Sequence, residues 1–317
     1  MFRKCSGKVA GKSDLDWLPS LFLFAVFRFC SGRGVSGEGG LARWAAGCYC
    51  RRTLKTNLDP TRAQVWDDFW GQQPSVADIY PAVSDVTAEV LRTLPELRGR
   101  RLLEVGAGTG REGHGFAERG AQVTLLDISW EALRLSRGVS SLPQFVRGNA
   151  LSAPFADATF DVVYHQGLLE HFREPMPLLR ENFRLLKPGG FLLCDVPQRY
   201  HVYTLAKHAL MAVGKWFAGW ETEFAPSEIE RLVREAGFVV ERRYGYGMHP
   251  GLCYRVLREI GKKTGVKLPM YPEFGPLRPL YRGWHHLLRR AERCRAGHYF
   301  VVSVGVIARK PRCRGAG

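Results

Sequence analysis

No two cysteines of this chain stand at C-x-x-C spacing, and no Cys/His grouping repeats the ligand intervals of a zinc site. Cys48-Tyr49-Cys50 is too tight for an ordinary metal clip, so no metal site is expected. The eight cysteines read as reduced thiols of a cytosolic protein. Also missing is an apolar run of the roughly twenty residues that a membrane-crossing helix needs. Leu18 to Phe27 reaches about half that length. Asp14 and Asp16 before it, Arg28 after it and the lack of a small-x-small cleavage site count against a signal peptide. Acidic groups are scarce, 30 against 46 basic ones, which leaves a net charge of +16.

That excess is unevenly spread. Residues 1–60 hold 10 basic and 4 acidic side chains, residues 61–240 hold 19 and 22, and residues 241–317 hold 17 and 4. The middle is slightly acidic and both ends are basic, a pattern that suits a polyanionic partner or an anionic membrane surface. With 317 residues, 45% of them hydrophobic, the chain can bury one sizeable α/β core with appended segments. Residues 1–60, glycine- and serine-rich over 31–40, read as a poorly ordered basic extension. Residues 61–317 read as one domain. Within it a core spans 98–198, a second part with a basic insert spans 199–298, and the last strand lies at 299–310.

The core is organised around Arg101-Leu102-Leu103-Glu104-Val105-Gly106-Ala107-Gly108-Thr109-Gly110. A short apolar run breaks into three alternate glycines and then into a helix-compatible segment, which predicts strand, tight turn and helix. The dinucleotide fingerprint G-x-G-x-x-G would need its third glycine where Arg111 stands, so the run is G-x-G-x-G instead. A second strand, Gln122 to Leu126, leads into Asp127, whose carboxylate is placed to accept both hydroxyls of a ribose. Glycines after one strand and an acid at the tip of the next together predict a nucleoside site.

Glu-Val-Gly-Ala-Gly-Thr-Gly (104–110), Leu-Leu-Asp-Ile-Ser (125–129), Phe-Asp-Val-Val-Tyr (160–164), Leu-Glu-His-Phe (169–172) and Leu-Leu-Lys-Pro-Gly-Gly-Phe (185–191) follow in that order. In these motifs the chain resembles the class I S-adenosylmethionine-dependent methyltransferases, most of all their type 11 branch. The resemblance covers residues 62–245 well and is specific for the cofactor, not for an acceptor. It implies a doubly wound α/β fold with a mainly parallel seven-stranded sheet, the last strand antiparallel, a helical N-terminal preface and a basic insert before the last strand. It also implies that Gly106, Gly108 and Gly110 face the methionyl part of the cofactor and that Asp127 holds the ribose. Asn149 and Ala150 would receive the adenine, and His165 or Gln166 the methionyl amine. Glu104, Ala107 and Ile128 complete the cofactor-binding set. The family usually carries an acid where Asn149 stands, whose amide oxygen can still accept a hydrogen bond.

The remaining segments are read in chain order. Val65, Trp66, Phe69 and Trp70 fall on one face of a helix, which the family uses as a cap over the cofactor. Ser129 caps a helix through Leu135, and a helix from about Glu174 ends at Lys187-Pro188-Gly189-Gly190, before a fifth strand Phe191–Cys194. Tyr200 to Trp220 mixes basic and aromatic residues and predicts a helix over the pocket entrance. His171, after the fourth strand, is the first candidate for a catalytic base, with Glu170 and Tyr164 behind it.

The residues favour a methyltransferase of a small-molecule or lipid-like acceptor. RNA or protein methylation through the basic C-terminal region is an alternative, and so is a protein that binds S-adenosylmethionine without turnover. No Asn-Pro-Pro-Tyr or Asp-Pro-Pro-Tyr follows the fourth strand, which weighs against methylation of adenine or glutamine amides. The alternation of apolar and cationic residues over Tyr281–Arg290, and Leu252, Val256 and Ile260 among basic neighbours, predict contact with an anionic membrane surface. Nucleic acid is the second choice of partner, and the expected location is the cytoplasm, peripheral at the membrane.

Overall fold

A computed structural model describes residues 62–72, 86–213, 221–247 and 278–312, together with 251, 254, 257, 258, 260, 261, 264–266, 268, 269 and 275. The chain divides into two units. One comprises residues 1–51 and 250–272, and the other comprises 52–249 and 273–317 and carries the sheet. The expected extension over 1–60, Leu252, Val256 and the stretch 214–220 lie outside the described residues.

The sheet unit opens with helices α1 (Ala63–Gly71) and α2 (Val86–Thr93). It continues with β1 (Arg101–Val105), α3 (Arg111–Glu118), β2 (Gln122–Asp127), α4 (Trp130–Arg137), β3 (Gln144–Arg147) and β4 (Phe160–Gln166). A 3-10 turn (Leu169–His171), α5 (Met176–Leu185), β5 (Leu186–Pro197), α6 (Val202–Ala212), α7 (Pro226–Glu235) and β6 (Val239–Tyr246) follow. Helix α8 (Arg278–Glu292), a 3-10 turn (Gly297–Tyr299) and β7 (Ser303–Arg309) complete it.

Seven strands pair in the order β3-β2-β1-β4-β5-β7-β6. β1 to β5 are parallel, and β7 runs antiparallel between β5 and β6. Strands buried on both faces read as near-continuous apolar runs, and β1 shows the consequence. Leu103 and Val105 enter one core cluster while Leu102 enters the other. The strand order reverses between β1 and β4, the crevice where open α/β sheets bind ligands. The expected doubly wound, mainly parallel seven-stranded fold is therefore present, with its helical preface.

Local chemistry sets the element ends. Ser129 caps α4 by accepting the Ala132 N–H at 3.1 Å. Two boundaries differ from the sequence reading. Lys187-Pro188-Gly189-Gly190 does not separate a helix from a later strand, because α5 ends at Leu185 and β5 begins at Leu186. The tetrapeptide is instead a register shift inside β5, from Phe160↔Leu186 to Val162↔Phe191. Gly189, at φ +83°, donates to the Lys310 carbonyl, and Lys310 N–H donates back to Gly190, so edge bonding keeps the stretch in the sheet. β4, read as ending at Tyr164, runs on through His165 and Gln166.

Part of the basic insert forms α8, a 15-residue helix. No helix among the described residues is long and apolar enough to cross a membrane. Helix α6 forms where expected, but none of its described residues lines the cavity at the strand ends. Its Lys207 is instead fully buried between Glu221 and Glu223, at 2.7 and 2.6 Å. Burial works against that ammonium, and the two carboxylates outweigh it and hold its pKa above the usual range.

Candidate functional site

A cavity of about 610 Å³ opens at the carboxyl ends of β1, β2, β4 and β5. Its size is that of a site for a small ligand. Glu104, Gly106, Ala107 and Gly108 line it from the end of β1 and the turn that follows, and Asp127 and Ile128 line it from the tip of β2. Asn149 and Ala150 approach from the turn after β3, Gln166 from the end of β4, and His171 from the 3-10 turn. Ten of the twelve residues that the sequence singled out thus meet on one wall.

The turn after β1 shows why glycine is required. Gly106 and Gly108 have φ of +64° and +54°, where a side chain is strained. A Cβ on Gly106 would lie 2.7 Å from Leu168 Cδ1, and one on Gly108 3.0 Å from Trp70 Cζ2. Each glycine therefore lets backbone face the cavity under an apolar lid. The Asp127 carboxylate clamps this turn, accepting the Gly108 N–H at 2.7 Å and the Ser129 N–H at 2.8 Å. The Ile128 N–H adds a third bond, which leaves one accepting position for a further donor. Burial raises the Asp127 pKa against these bonds.

Two expected residues do not reach the cavity. Gly110 is the left-handed N-cap of α3, and a Cβ there would lie 2.4 Å from Leu125 Cδ1 and 2.9 Å from Ser136 Oγ. It lets α3 pack closely on β2 and does not face a ligand. His165 alternates away from Gln166 along β4 and is fully buried, with neither ring nitrogen hydrogen-bonded. Burial pushes its pKa down to about 3, so it is a neutral core side chain. Tyr164 is likewise fully buried and donates its hydroxyl to Glu104 Oε2 at 2.9 Å. Asn149 does line the cavity, and its Oδ1 already accepts the Leu151 N–H at 2.9 Å while keeping a second lone pair.

The wall is acidic. Glu104, which also accepts the Gly113 N–H at 3.1 Å, is pushed by burial up to about 8 despite its hydrogen bonds. Burial, followed by the nearby Glu221 carboxylate, raises Glu170 well above the usual range. Among the described residues, Arg111 is the one arginine or lysine on the lining, beside the carboxyl groups of Glu104, Asp127, Glu170 and Asp195. Trp66 and Trp70 of α1 also line the cavity, and the Trp66 ring meets the His171 imidazole edge-on, centroids 5.0 Å apart.

The sequence reading missed Asp195, Tyr246 and Ser303, which also line the cavity. β5 and β6 lie on either side of β7, so residues distant in sequence come into one row. Asp195 pairs with Gly305 and Gly305 with Tyr244, while Tyr246 pairs with Ser303. The only local signal was an aspartate inside an otherwise apolar strand.

Comparison with known proteins agrees with this geometry. The family described as "Methyltransferase domain" matches residues 103–194. The ubiquinone biosynthesis O-methyltransferase of Alkalilimnicola ehrlichii is 32% identical over 198 residues, 59% of this chain and 79% of that protein. That of Xanthomonas euvesicatoria is 31% identical over 223 residues, 65% and 87% of the two chains. Among solved structures, the methyltransferase bound to the Trm112 activator of Haloferax volcanii superposes with a TM-score of 0.52 at 17% identity, over 79% of this chain and 97% of that one. Phosphoethanolamine N-methyltransferase 2 of Haemonchus contortus, in complex with S-adenosyl-L-methionine, superposes with a TM-score of 0.50 at 18% identity, over 81% and 59%. The chain belongs to the class I S-adenosylmethionine-dependent methyltransferases, and S-adenosyl-L-methionine is its cofactor.

Proposed function

We propose that the enzyme transfers the methyl group to a hydroxyl oxygen of a small, largely apolar acceptor. The observation that carries this reading is a cavity whose lining combines the aromatic rings of Trp66 and Trp70 with the acid–base groups of His171, Glu170 and Asp195. The similarity to proteins named O-methyltransferases supports it.

On this reading the cofactor supplies an activated methyl group, and the chain's residues hold and align. The Gly106–Gly108 backbone would face the methionyl part and Asp127 the ribose, with Glu104, Ala107 and Ile128 beside them. Asn149 and Ala150 would receive the adenine, and Gln166 the methionyl amine. Alignment of this kind contributes up to roughly 7–11 kcal/mol in favourable systems. His171, its ring held edge-on by Trp66, is proposed to hydrogen-bond the acceptor hydroxyl and take its proton. Incubation with methyl-labelled cofactor and cell extract tests the proposal. Label is expected in ethers of small or lipid-like molecules, and label confined to RNA or protein overturns it.

We also propose that this cytoplasmic enzyme works at an anionic membrane surface. Helix α8 leaves Leu280, Trp284 and Leu287 at 72%, 60% and 61% exposure, on one stripe by their spacing. Arg289, Arg290, Arg293 and Arg295, all exposed, follow Leu287 in the chain. An apolar stripe with cations suits the headgroup region of anionic lipid, where each Lys or Arg contributes on the order of 1 kcal/mol. Sedimentation with anionic vesicles is expected to carry the protein down, and Trp284→Ser to weaken this. RNA binding in low salt without vesicle binding would favour nucleic acid instead.

A further inference from the structure

Asp195 stands at the end of β5, in register with Gln166 of β4 and Gly305 of β7. Two phenols reach it from β6 across β7. Tyr246 donates to its Oδ1 at 3.1 Å and Tyr244 to its Oδ2 at 3.2 Å, and the Gln166 side chain adds a third bond. The crossing depends on Gly305, since a Cβ there would lie 2.4 Å from Tyr244 Cζ and 2.7 Å from its hydroxyl. Asp195, Tyr246 and Gln166 line the cavity, and Tyr244 backs them. A carboxylate 2% exposed is costly unless it is hydrogen-bonded, and these partners are all donors. The arrangement holds an acceptor of protons in place beside the space where an acceptor molecule must sit. On the same wall Glu170, 3% exposed, leaves Oε2 without a hydrogen bond to the described chain, a second polar group awaiting a ligand.

We propose that Tyr246 and Asp195 form a proton-accepting pair for the acceptor's hydroxyl, a second acid–base route beside His171. The inference rests on the hydroxyl reading given above. The Tyr246 phenolic oxygen accepts from the Ser303 and Gln166 side chains, and the acceptor's hydroxyl takes the place of one of them, while the phenol's own proton already points to Asp195 Oδ1. The acceptor's O–H bond breaks as a new one forms on Tyr246. The Tyr246 proton passes to Asp195, leaving an oxyanion, a neutral phenol and a carboxylic acid. No oxidant or further reactant is needed.

Burial, offset in part by its hydrogen bonds, places Asp195 at about 7, so near neutrality it can both hold and release the proton. The titratable groups around it are Tyr244 and Tyr246 on β6, the Glu112 carboxyl of α3, Glu170 of the 3-10 turn and Cys194 on its own strand. Burial sends the two phenols and the Cys194 thiol upward, which leaves them neutral in this range.

4-Nitrophenol, whose absorbance separates phenol from phenolate, tests the pair in the cofactor-free protein. The wild type is expected to bind it with a phenolate fraction well above that of the free probe at the same pH. In a His171→Gln background, which removes the other proposed base, Tyr246→Phe and Asp195→Asn are expected to reduce that fraction at least tenfold, with S-adenosylmethionine affinity within about twofold. Thermal unfolding checks that each variant is folded, and the conservative Tyr246→Phe serves if Asp195→Asn is not. A phenolate band unchanged by Tyr246→Phe in that background, or absent in the wild type although the probe binds, overturns the pair and leaves the hydroxyl reading standing. A wild type that binds S-adenosylmethionine but no phenol overturns the hydroxyl reading, and the pair with it.

Discussion

The carboxylate of Asp127 accepts the backbone N–H of Gly108 at 2.7 Å, so the tip of β2 closes the glycine turn that follows β1. One side chain therefore shapes the turn and faces the cavity. Asp127→Ala is expected to weaken S-adenosylmethionine binding by about 1.5–3 kcal/mol, roughly 10- to 150-fold, the worth of a charged hydrogen bond. Calorimetry on the variant decides it, and unchanged affinity would remove Asp127 from the ligand's contacts.

Gly110 was expected to face the cofactor and instead makes room for Leu125. Gly110→Ala would force a Cβ to within 2.4 Å of Leu125 Cδ1 at a left-handed φ of +64°. We expect a loss of at least about 2 kcal/mol in denaturant unfolding. Affinity per folded molecule should change little. A stable variant with lost affinity would restore Gly110 to the ligand site.

Glu104 makes stability depend on pH. Its folded pKa of about 8 lies above the ordinary 4.5, so the folded state holds more protons between those values. Its contribution is full below about pH 4.5 and is lost as pH rises through 8. Glu104→Gln keeps an oxygen for Gly113 and Tyr164 but cannot ionise. The decline in melting temperature from pH 5 to 8 should therefore be shallower in the variant, and parallel profiles would contradict the assignment.

Lys207→Met removes the cation between two buried carboxylates and leaves Glu221 and Glu223 facing each other. Breaking a buried pair on one side costs about 3–5 kcal/mol. Chemical denaturation should show a loss of that order, partly recovered as the carboxylates are protonated at low pH. A loss under 1 kcal/mol would mean that water already reaches the network.

The sequence by itself determined the fold class and which residues after β1, β2 and β3 line the cavity. Glycine spacing after β1, the acid at the tip of β2 and the order of the strands are local properties, since each depends on residues within about twenty positions. That is why Gly106, Gly108, Asp127, Asn149 and Gln166 reach the cavity as expected. Local pattern could not say which way a neighbour points once a strand runs further than its apolar stretch suggests. His165 and Gln166 are adjacent, yet the pleat sends one into the core and the other to the site. Nor could it show that Gly110 is a packing glycine, because the clashing atom belongs to β2. The cluster of Asp195 with two phenols was decided only by tertiary structure. Asp195, Tyr244 and Tyr246 lie about fifty residues apart and meet because antiparallel β7 inserts between β5 and β6, with a glycine where the phenol crosses.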